Sequence, residues 1–345
     1  MKTADFDFDL PEELIALRPA PARDGSRLLV LHGDGTVEHR AFREIVDYLG
    51  AGDLLILNNT KVVPARLIGR KLSGGRIDLI LVKEDGSGAW EILCKGRYLG
   101  PVSFRADVHA EIFEADKTGG DARRLRFVTA GRFSISEILA MCGAMPLPPY
   151  IKRMPDEDDM LRYQTVYAER SGSIAAPTAG LHFTEGVLER LAEKGVLVRG
   201  LTLHVGPGTF RPIKTELLND HEMQAEYFEI GKTLLEDIIS VKKSGGKVVA
   251  VGTTATRALE GYFSGICSSK GNGNGSICGS TNIFIYPGYE FKAIDSLLTN
   301  FHLPRSTPLM LATALAGSNK LMIAYREAIA RGYRFFSYGD AMLIL

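Results

Sequence analysis

The sequence predicts an α/β protein in which a domain of sheet and helices is interrupted by an inserted small β-barrel domain. Strand-like and helix-like stretches alternate in residues 1–60 and again in 151–345, as expected for a sheet covered by helices. Residues 61–150 instead carry short apolar runs broken by glycine-rich turns, a spacing typical of a small barrel or sandwich. We therefore expect a discontinuous α/β domain, 1–60 and 151–345, around a barrel domain, 61–150.

The elements of the first half follow in order along the chain. Apolar patterning predicts a strand over 27–32, a turn at 33–35, a helix over 42–49 and a buried strand over 53–57. Five short apolar runs then predict the barrel strands: 77–82, 89–93, 102–104, 110–113 and 124–128. The proline-rich run 145–150 disfavours helix and predicts a linker that leaves the barrel.

The helical period returns after this linker. Six stretches predict helices: 161–168, 185–194, 233–243, 254–263, 309–316 and 321–331. Four stretches between them predict strands: 196–204, 247–251, 282–286 and 334–338. Because strands and helices alternate, we expect the two halves to form one mostly parallel sheet. Residues 264–280 are rich in glycine, serine and asparagine and predict a loop.

Composition restricts the class of protein. Of 345 residues, 45% are hydrophobic and 24% charged, which disfavours disordered, collagen-like and coiled-coil chains. The acidic N-terminus lacks a secretory pattern, and no apolar run approaches the roughly 18 residues of a membrane helix. The four cysteines form no C-x-x-C pair and predict free thiols. We expect a soluble, cytoplasmic monomer.

The charges are distributed unevenly along the chain. Lysine plus arginine equals aspartate plus glutamate at 41 each, so the net charge is zero. Residues 61–153, however, contain 16 basic and 10 acidic residues, a local charge of +6 that leaves −6 elsewhere. A basic module on an acidic remainder suits a partner rich in phosphate, although an unevenly charged solvated surface explains the numbers as well.

Four of the seven histidines lie in short polar stretches where loops are predicted. They are His182, His204, His221 and His302. A histidine can act as acid, base or metal ligand near neutral pH, but a hydrogen-bonded structural role explains any one of them equally well. A metal site is the weaker hypothesis, because these histidines lack helical ligand spacing and no paired-cysteine motif accompanies them.

Other stretches could bind a substrate. Residues 248–257 predict a strand, a tight turn and a helix start whose free N–H groups attract anions, although Thr253 and Thr254 could simply cap the helix. Residues 58–61 follow a buried strand and could hold ribose hydroxyls or phosphate, or form a plain turn. Three tyrosines could stack on a base or belong to the core: Tyr163, Tyr167 and Tyr338.

At these same stretches the chain resembles one family, the S-adenosylmethionine:tRNA ribosyltransferase-isomerases of queuosine biosynthesis. Eleven segments carry the resemblance in order: 5–11, 23–28, 52–61, 64–66, 145–151, 163–168, 176–184, 202–206, 250–257, 299–304 and 337–343. They include Pro146-Leu147-Pro148-Pro149-Tyr150 and the terminal Ser337-Tyr338-Gly339-Asp340. So many ordered matches over nearly the whole chain are far more specific than any single motif.

The resemblance implies a reaction and an architecture. Family members transfer and isomerise the ribosyl part of S-adenosylmethionine onto the 7-aminomethyl-7-deazaguanine at the wobble position of tRNA. The product is epoxyqueuosine-tRNA, and adenine and methionine are released. They combine an α/β domain with a β-barrel domain, need no metal, and consume S-adenosylmethionine as a substrate instead of holding a cofactor. The implied partners are tRNA and S-adenosylmethionine, without a membrane.

The resemblance also implies site residues, because the chemistry needs a general base beside the sulfonium and an acid for the departing adenine. The catalytic candidates inside matched segments are His182, His204, His302 and Asp340. The substrate-binding candidates are Asn59, Thr60, Lys61, Arg66, Thr178, Thr253, Arg257 and Asn300.

Three positions depart from the family pattern. Gln224 stands where the family usually has a second histidine, so an obligatory base at that position is doubtful. Asn282 replaces a common aspartate and Pro308 a common apolar residue, and both changes look structural.

Two other functions stay open from the residues alone: RNA binding without catalysis, with the barrel as the RNA-binding module, and metal-dependent hydrolysis by the histidines.

Overall fold

The chain forms two compact units in a computed structural model that describes residues 1–114, 123–129, 131–206, 213–272 and 275–345. The sheet unit comprises Met1–Lys61 and Gln164–Leu345, and the barrel unit comprises Val62–Tyr163. Residues 151–163 thus belong to the barrel unit, whereas the proline-rich run had suggested an exit before them. No helix in the described part of the chain is both long and apolar enough to cross a membrane.

The strands of both units, in chain order, are β1 (Arg27–Leu31), β2 (Val37–Ala41), β3 (Leu54–Asn58), β4 (Thr60–Val62), β5 (Arg66–Lys71), β6 (Arg76–Glu84), β7 (Ala89–Cys94), β8 (Gly100–Arg105), β9 (Val108–Glu114), β10 (Arg123–Phe127), β11 (Gly143–Ala144), β12 (Arg170–Ser173), β13 (Leu197–Leu203), β14 (Glu226–Gly231), β15 (Val248–Val251), β16 (Ser268–Gly271), β17 (Ser276–Thr281), β18 (Ser296–Asn300) and β19 (Ala341–Ile344). The α-helices are α1 (Ile135–Cys142), α2 (Glu157–Arg162), α3 (Glu185–Glu193), α4 (Lys232–Lys243), α5 (Gly252–Phe263), α6 (Thr307–Ala316) and α7 (Ser318–Ala330). Short 3₁₀ helices include Phe42–Asp47 and Thr178–His182.

The sheet unit is built on ten strands in the order β16-β17-β14-β13-β3-β15-β18-β19-β1-β2. Its four central strands, β13, β3, β15 and β18, run parallel to one another. The expectation of a mostly parallel sheet is wrong, since antiparallel pairings join β14, β17 and β16 on one side and β19 and β2 on the other. For example, β2 follows β1 after a short turn and β19 follows α7, and each runs antiparallel to a neighbouring strand, which alternation alone does not reveal.

Helices and loops cover both faces of this sheet. In β3, Leu54 and Ile56 pack into one buried cluster with α4, α5, α6 and α7, whereas Leu55 and Leu57 pack into another with α3 and the 3₁₀ helix Phe42–Asp47. Because both sides of β3 are buried, the strand reads as an uninterrupted apolar run and not as an alternating one. The predicted α/β class is therefore confirmed.

Several predicted elements are wrong. Residues 161–168 do not continue a helix, because α2 begins earlier, at its cap Asp156, and ends at Arg162. Residues 282–286 and 334–338 are not strands, and within 264–280, predicted to be a loop, the structure describes the antiparallel strands β16 and β17. Buried aromatic residues in packed turns, such as Phe335 with no exposed surface, explain the apolar pattern at 334–338.

The barrel unit closes as predicted. Six antiparallel strands follow the order β5-β6-β7-β10-β9-β8, and β8 returns to pair with β5. That closing contact is short, since it comprises only the pairs Arg70↔Ser103 and Lys71↔Val102. The β8–β9 register shifts between Ser103 and Arg105, so Phe104 occupies a bulge beside the closing pair.

A buried carboxylate joins α5 to the segment before β18. Glu260 has no exposed surface. One carboxylate oxygen accepts hydrogen bonds from the amides of Ala293 and Ile294 at 2.9 and 3.1 Å, and the other from the Lys292 amide at 2.9 Å and the Tyr289 hydroxyl at 2.8 Å. Four donors converge on one acceptor group, so this loop depends on a single side chain.

Replacing Glu260 with Gln should destabilise the sheet unit by roughly 2–4 kcal/mol. The new side-chain NH₂ group would face hydrogen-bond donors that the carboxylate oxygen now satisfies, and those donors would lose their partner. The free energy of unfolding from urea denaturation measures the effect. Glu236→Gln on the exposed face of α4 is the matched control and should change it by less than about 0.5 kcal/mol. Equal stability of the two variants would contradict this role of Glu260.

Candidate functional site

Four parallel strands bring the predicted site residues to one edge of the sheet. His204 follows β13, Asn59 and Thr60 follow β3, Thr253 follows β15, and His302 lies two residues beyond β18. Because β13, β3, β15 and β18 are parallel, their carboxyl ends share this edge. Ligands of open α/β sheets bind outside the carboxyl ends of the strands. We call it the carboxyl edge.

Asn58, the last residue of β3, ties three elements of the carboxyl edge together. Its buried amide nitrogen donates to the Leu203 carbonyl at 3.0 Å and to the Thr254 hydroxyl at 3.1 Å. Its carbonyl oxygen accepts from the amides of Leu203 at 3.0 Å and Thr60 at 3.2 Å. The side chain is fully occupied by the protein, so of the two asparagines in the predicted motif Asn58 is structural.

His204 is the candidate base with the most accessible ring. Its Nδ1 lies 2.8 Å from the hydroxyl of Thr60, and its ring stacks on Tyr227 with centroids 5.7 Å apart. An added Cβ at Gly172 would lie 2.8 Å from Nε2 and from the neighbouring ring carbon, so only glycine allows the chain to pass this close. Burial lowers the pKa of His204, which is only half-buried.

Asn59 and Lys61 differ from Asn58 in their surroundings. The Asn59 carbonyl oxygen accepts from the Thr202 hydroxyl at 2.7 Å, and its amide donates to the Glu169 carboxylate at 3.1 Å on the exposed side. Lys61 is exposed. Both stay predictions as substrate-binding residues, and Lys61 is the more available of the two.

The start of α5 contributes a buried ion pair. Gly252 has a φ of +86°, a conformation suited to glycine, and turns the chain from β15 directly into the helix. The capping interpretation of the threonines is wrong, because the residue before the helix makes no side-chain cap and Thr254 accepts from Asn58 instead. Arg257 lies farther along α5 and forms a buried salt bridge with Glu226.

Arg257 keeps one donor unpaired although it is only 6% exposed. Its Nε donates to the Ile283 carbonyl at 3.2 Å and its Nη1 to Glu226, but its buried Nη2 makes no hydrogen bond among the described residues. A small pocket between the starts of α5 and α6 adjoins this guanidinium and is lined by Thr253, Thr254, Arg257, Thr307, Pro308 and Leu311. A buried guanidinium with an unpaired donor, on a residue that lines a pocket, suits an anionic group.

The loop after β18 holds His302 and Asn300. The His302 Nε2 lies 2.7 Å from the Thr299 hydroxyl, and its backbone amide donates to the Tyr325 hydroxyl at 3.0 Å. The Asn300 amide donates to the Phe336 carbonyl at 2.9 Å, while its Oδ1 is buried without a hydrogen bond in the described chain. Both residues lie at the carboxyl edge, as predicted.

His182 lies deeper than the other two histidines. It ends the 3₁₀ helix Thr178–His182, is only 4% exposed and stacks on Phe42 with centroids 5.1 Å apart. Its Nδ1 lies 2.7 Å from the Ser26 hydroxyl, and its Nε2 is buried without a partner in the described chain. Thr178 begins the same short helix, which packs against α5 and β18.

Asp340 is committed to the backbone. Its two carboxylate oxygens accept from the amides of Arg27 at 3.0 Å and Arg334 at 2.9 Å, and it is 2% exposed. These bonds hold the turn before β19 against the start of β1. The geometry favours a structural role over the predicted catalytic one, although Asp340 does lie at the carboxyl edge.

Two other predictions lie elsewhere. Arg66 belongs to the barrel unit, where its guanidinium holds Asp78 through two hydrogen bonds of 2.9 and 2.7 Å. His221 packs edge-on against Phe284 at 4.9 Å. Across the described ranges, no three His, Cys, Asp or Glu side chains come together in a group able to hold a metal ion.

Glu226 is the site residue that the sequence analysis missed. It is the first residue of β14, is 5% exposed, and also accepts the Gly206 amide at 2.9 Å. Glu226 and Arg257 are 31 residues apart in the chain, so no local pattern connects them. No element was predicted at residue 226, so the sequence analysis had no signal for this glutamate.

The whole chain is similar to known proteins. The profile of a family described as "Queuosine biosynthesis protein" matches residues 3–344. Curated relatives named S-adenosylmethionine:tRNA ribosyltransferase-isomerase, from Thermodesulfovibrio yellowstonii and Halothermothrix orenii, are 53% and 50% identical to this chain. Each alignment covers 100% of both proteins.

A solved structure is similar as well. The crystal structure of an S-adenosylmethionine tRNA ribosyltransferase from Thermotoga maritima has a TM-score of 0.55 and 36% sequence identity, covering 99% of this chain and 100% of that one. The resemblance seen in the sequence is thereby confirmed over the whole length. The chain belongs to the queuosine biosynthesis protein family.

Proposed function

We propose that this protein is an S-adenosylmethionine:tRNA ribosyltransferase-isomerase. The observation that carries the proposal is the end-to-end match, at 46–53% identity, to relatives bearing that name. The grouping of His204, Thr60, Arg257 and His302 at one sheet edge supports it, because acid–base and anion-binding groups meet where ligands bind.

The proposed reaction moves the ribosyl part of S-adenosylmethionine onto the aminomethyl group of 7-aminomethyl-7-deazaguanine at the tRNA wobble position. The amine gains an epoxycyclopentanediol, giving epoxyqueuosine-tRNA, while adenine and methionine leave. A base removes a proton from the ribose carbon beside the sulfonium, which the positive sulfur acidifies, and an acid protonates adenine. S-adenosylmethionine is consumed, so the proposal includes no bound cofactor.

We assign the base to His204. Its Nδ1 proton can donate to the Thr60 hydroxyl at 2.8 Å, and that hydroxyl faces the Arg170 carbonyl at 3.5 Å. This arrangement leaves the Nε2 lone pair available to accept a proton. Lowering of its pKa by burial keeps the ring neutral at neutral pH, which a base requires.

The other two histidines suit a base less well. Burial lowers the pKa of both His182 and His302 to about 3. At His182 the charge of Arg334 adds to this effect, whereas the polar side chain of Asn300 opposes it. A group with so low a pKa binds a proton weakly, so we propose that these two histidines shape the site as neutral hydrogen-bonding groups.

Arg257 is proposed to bind the carboxylate of the methionyl part of S-adenosylmethionine. Its Nη2 is buried without a hydrogen bond in the described chain, Arg257 lines the small pocket between α5 and α6, and Glu226 fixes the guanidinium plane. A planar guanidinium can offer one edge to Glu226 and another to a ligand, which an ammonium cannot do with the same geometry.

The reaction itself is tested by incubating the protein with S-adenosylmethionine and a tRNA that carries the aminomethyl-deazaguanine, digesting the tRNA and weighing its nucleosides. We expect a mass gain equal to the epoxycyclopentanediol, with one adenine and one methionine released per product. Unchanged tRNA that still binds the protein would refute the proposal and favour RNA binding without catalysis.

Replacing His204 with Ala should lower kcat by about a hundredfold or more, because the proton-transfer group is removed. His32→Gln is the control. His32 follows β1, which runs from the carboxyl edge to the opposite edge, so this residue lies away from the candidate site. The turnover of the His32→Gln variant should stay close to that of the parent. Near-normal turnover of His204→Ala in the product assay would remove the assignment.

Replacing Arg257 with Lys should raise the KM for S-adenosylmethionine roughly tenfold or more while changing kcat little, because the charge beside Glu226 is kept but the second donor edge is removed. The KM for tRNA should not move. Steady-state kinetics with each substrate varied separately measure both values. An increase confined to the tRNA KM would show that Arg257 serves the other substrate.

The buried histidines predict an acid-sensitive fold. Their pKa values lie near 3 in the folded protein and about 6.5 when unfolded, so below pH 6.5 the unfolded chain binds more protons and stability falls. Between pH 7 and 5 the protonation of each of these histidines in the unfolded chain should lower the free energy of unfolding by roughly 2 kcal/mol.

The urea-unfolding free energy of the parent and of His182→Gln, measured at both pH values, tests this expectation. Between pH 7 and 5 the unfolding free energy of the variant should fall by about 2 kcal/mol less than that of the parent. The exposed His109→Gln should match the parent. An equal pH dependence of all three proteins would contradict the assigned protonation state of His182.

A further inference from the structure

The barrel unit carries a pocket of about 590 Å³ on its outer surface. It lies where the barrel closes, at the seam between β5 and β8, and is lined by Ile68, Gly69, Arg70, Arg76, Ser103, Phe104, Arg105, Ala106 and Met154. Its volume falls within the roughly 300–1,000 Å³ of ligand pockets. None of these residues belongs to the candidate active site described above.

The seam between β5 and β8 is short and irregular. Strands β5 and β8 pair only at Arg70↔Ser103 and Lys71↔Val102, and the bulge at Phe104 interrupts the register next to this pairing. Bulges bend a strand and redirect a side chain, and here β8 lies close against β5, with the Ser103 carbonyl and the Phe104 ring 2.7–3.0 Å from where a Cβ on Gly69 would stand. The pocket lies beside this short, irregular pairing.

Three arginines surround the pocket, and in the described ranges two of them have only a long contact with a carboxylate, at 3.8 Å for Arg76 and 4.0 Å for Arg105. Arg70 donates to the Gly74 carbonyl, at 3.4 Å, while Arg76 contacts the Met154 sulfur at 3.1 Å. Arg105 approaches the carboxylate of Asp107 no closer than 4.0 Å.

The neighbouring carboxylate of Asp78 is already committed. It holds Arg66 through hydrogen bonds of 2.9 and 2.7 Å and lies 3.8 Å from Arg76. The side chains of Arg76 and Arg105 are 58% and 53% exposed, so their charges are available to a partner.

Phe104 gives the pocket an aromatic wall. A Cβ added at Gly69 would lie 2.8–3.0 Å from two ring carbons of Phe104, so the ring rests directly on the glycine backbone. Phe127 packs against it at a centroid distance of 6.2 Å. Phe104 is thus a packed and partly exposed ring among cationic side chains.

We propose that this pocket binds the RNA substrate, with phosphates on Arg70, Arg76 and Arg105 and an unpaired base against Phe104. Arginine forks match phosphate geometry, and stacking on aromatic rings is how proteins hold unstacked bases of RNA. The segment 61–153, which contains most of the pocket lining, carries the local charge of +6. The proposal rests on the proposed function in that the RNA is the tRNA to be modified.

The first test compares two triple variants of the full-length protein. Arg70→Ala, Arg76→Ala, Arg105→Ala removes the pocket charges, and Lys83→Ala, Arg126→Ala, Arg132→Ala removes the same charge from exposed barrel positions outside it. Direct binding of unmodified tRNA, followed by fluorescence anisotropy at several salt concentrations, needs no catalysis.

We expect the pocket variant to bind tRNA roughly tenfold or more weakly, and its salt slope to fall by about 0.7–0.9 for each phosphate that the arginines no longer neutralise. The KM for S-adenosylmethionine should stay unchanged. Phe104→Leu keeps the packing on Gly69 but removes the stacking face, and should weaken binding roughly fivefold or more.

Two results would overturn the proposal: equal reductions of affinity in the two triple variants, which would show a nonspecific charge effect, or parent-like tRNA binding by the pocket variant with a parent-like circular dichroism spectrum. Failure of the proposed function gives a different pattern. In that case the parent leaves tRNA unmodified, while the pocket variant alone still binds tRNA more weakly.

Discussion

The carboxyl edge depends on the side chain of Asn58. Its carboxamide is buried at the end of the central strand β3 and makes four hydrogen bonds, which fix the end of β13, the turn into Thr60 and the first turn of α5. A buried amide that is left without hydrogen bonds costs free energy. The Asn58 side chain therefore favours the one arrangement of these elements in which all four of its hydrogen bonds are made. Thr60 then aligns His204, and α5 carries Arg257.

Around that amide the site combines fully satisfied polar groups with incompletely satisfied ones. The carboxylate of Asp340 is held by backbone amides, whereas the Nη2 of Arg257 is buried without a partner in the described chain. Satisfied groups build the rigid frame, and unsatisfied ones mark where a substrate would complete the network. On this distinction rests the proposal that Arg257 binds a substrate and Asp340 has a structural role.

Periodicity was sufficient for much of the fold. The continuous apolar run of β3 identifies a strand that is buried on both faces, and the 3.6-residue period of α4 identifies a helix that is buried on one face. Short apolar runs identify the barrel strands. It failed at 334–338, where apolar residues fill a turn held by Asp340, and at β16 and β17, whose polar residues pair at a sheet margin. Strand direction also escaped, since it depends on connections and not on composition.

The site was predictable only in part for the same reason. Residues after strands, such as His204 and Thr253, can be placed at one edge once the strands are known to be parallel. The Glu226–Arg257 pair and the burial of His182 arise from contacts between distant segments, which a single sequence does not encode locally. Functional resemblance located the motifs, and geometry then separated Asn58 from Asn59 and His204 from His182.

The most direct measurement is a crystal structure of the protein with S-adenosylmethionine bound in the absence of tRNA. We predict that the ligand lies at the carboxyl edge, with its methionyl carboxylate on the Arg257 Nη2 and its ribose carbon beside the sulfonium within reach of the His204 Nε2. A ligand bound elsewhere, or one held at this edge with its ribose remote from His204, would contradict the proposed site.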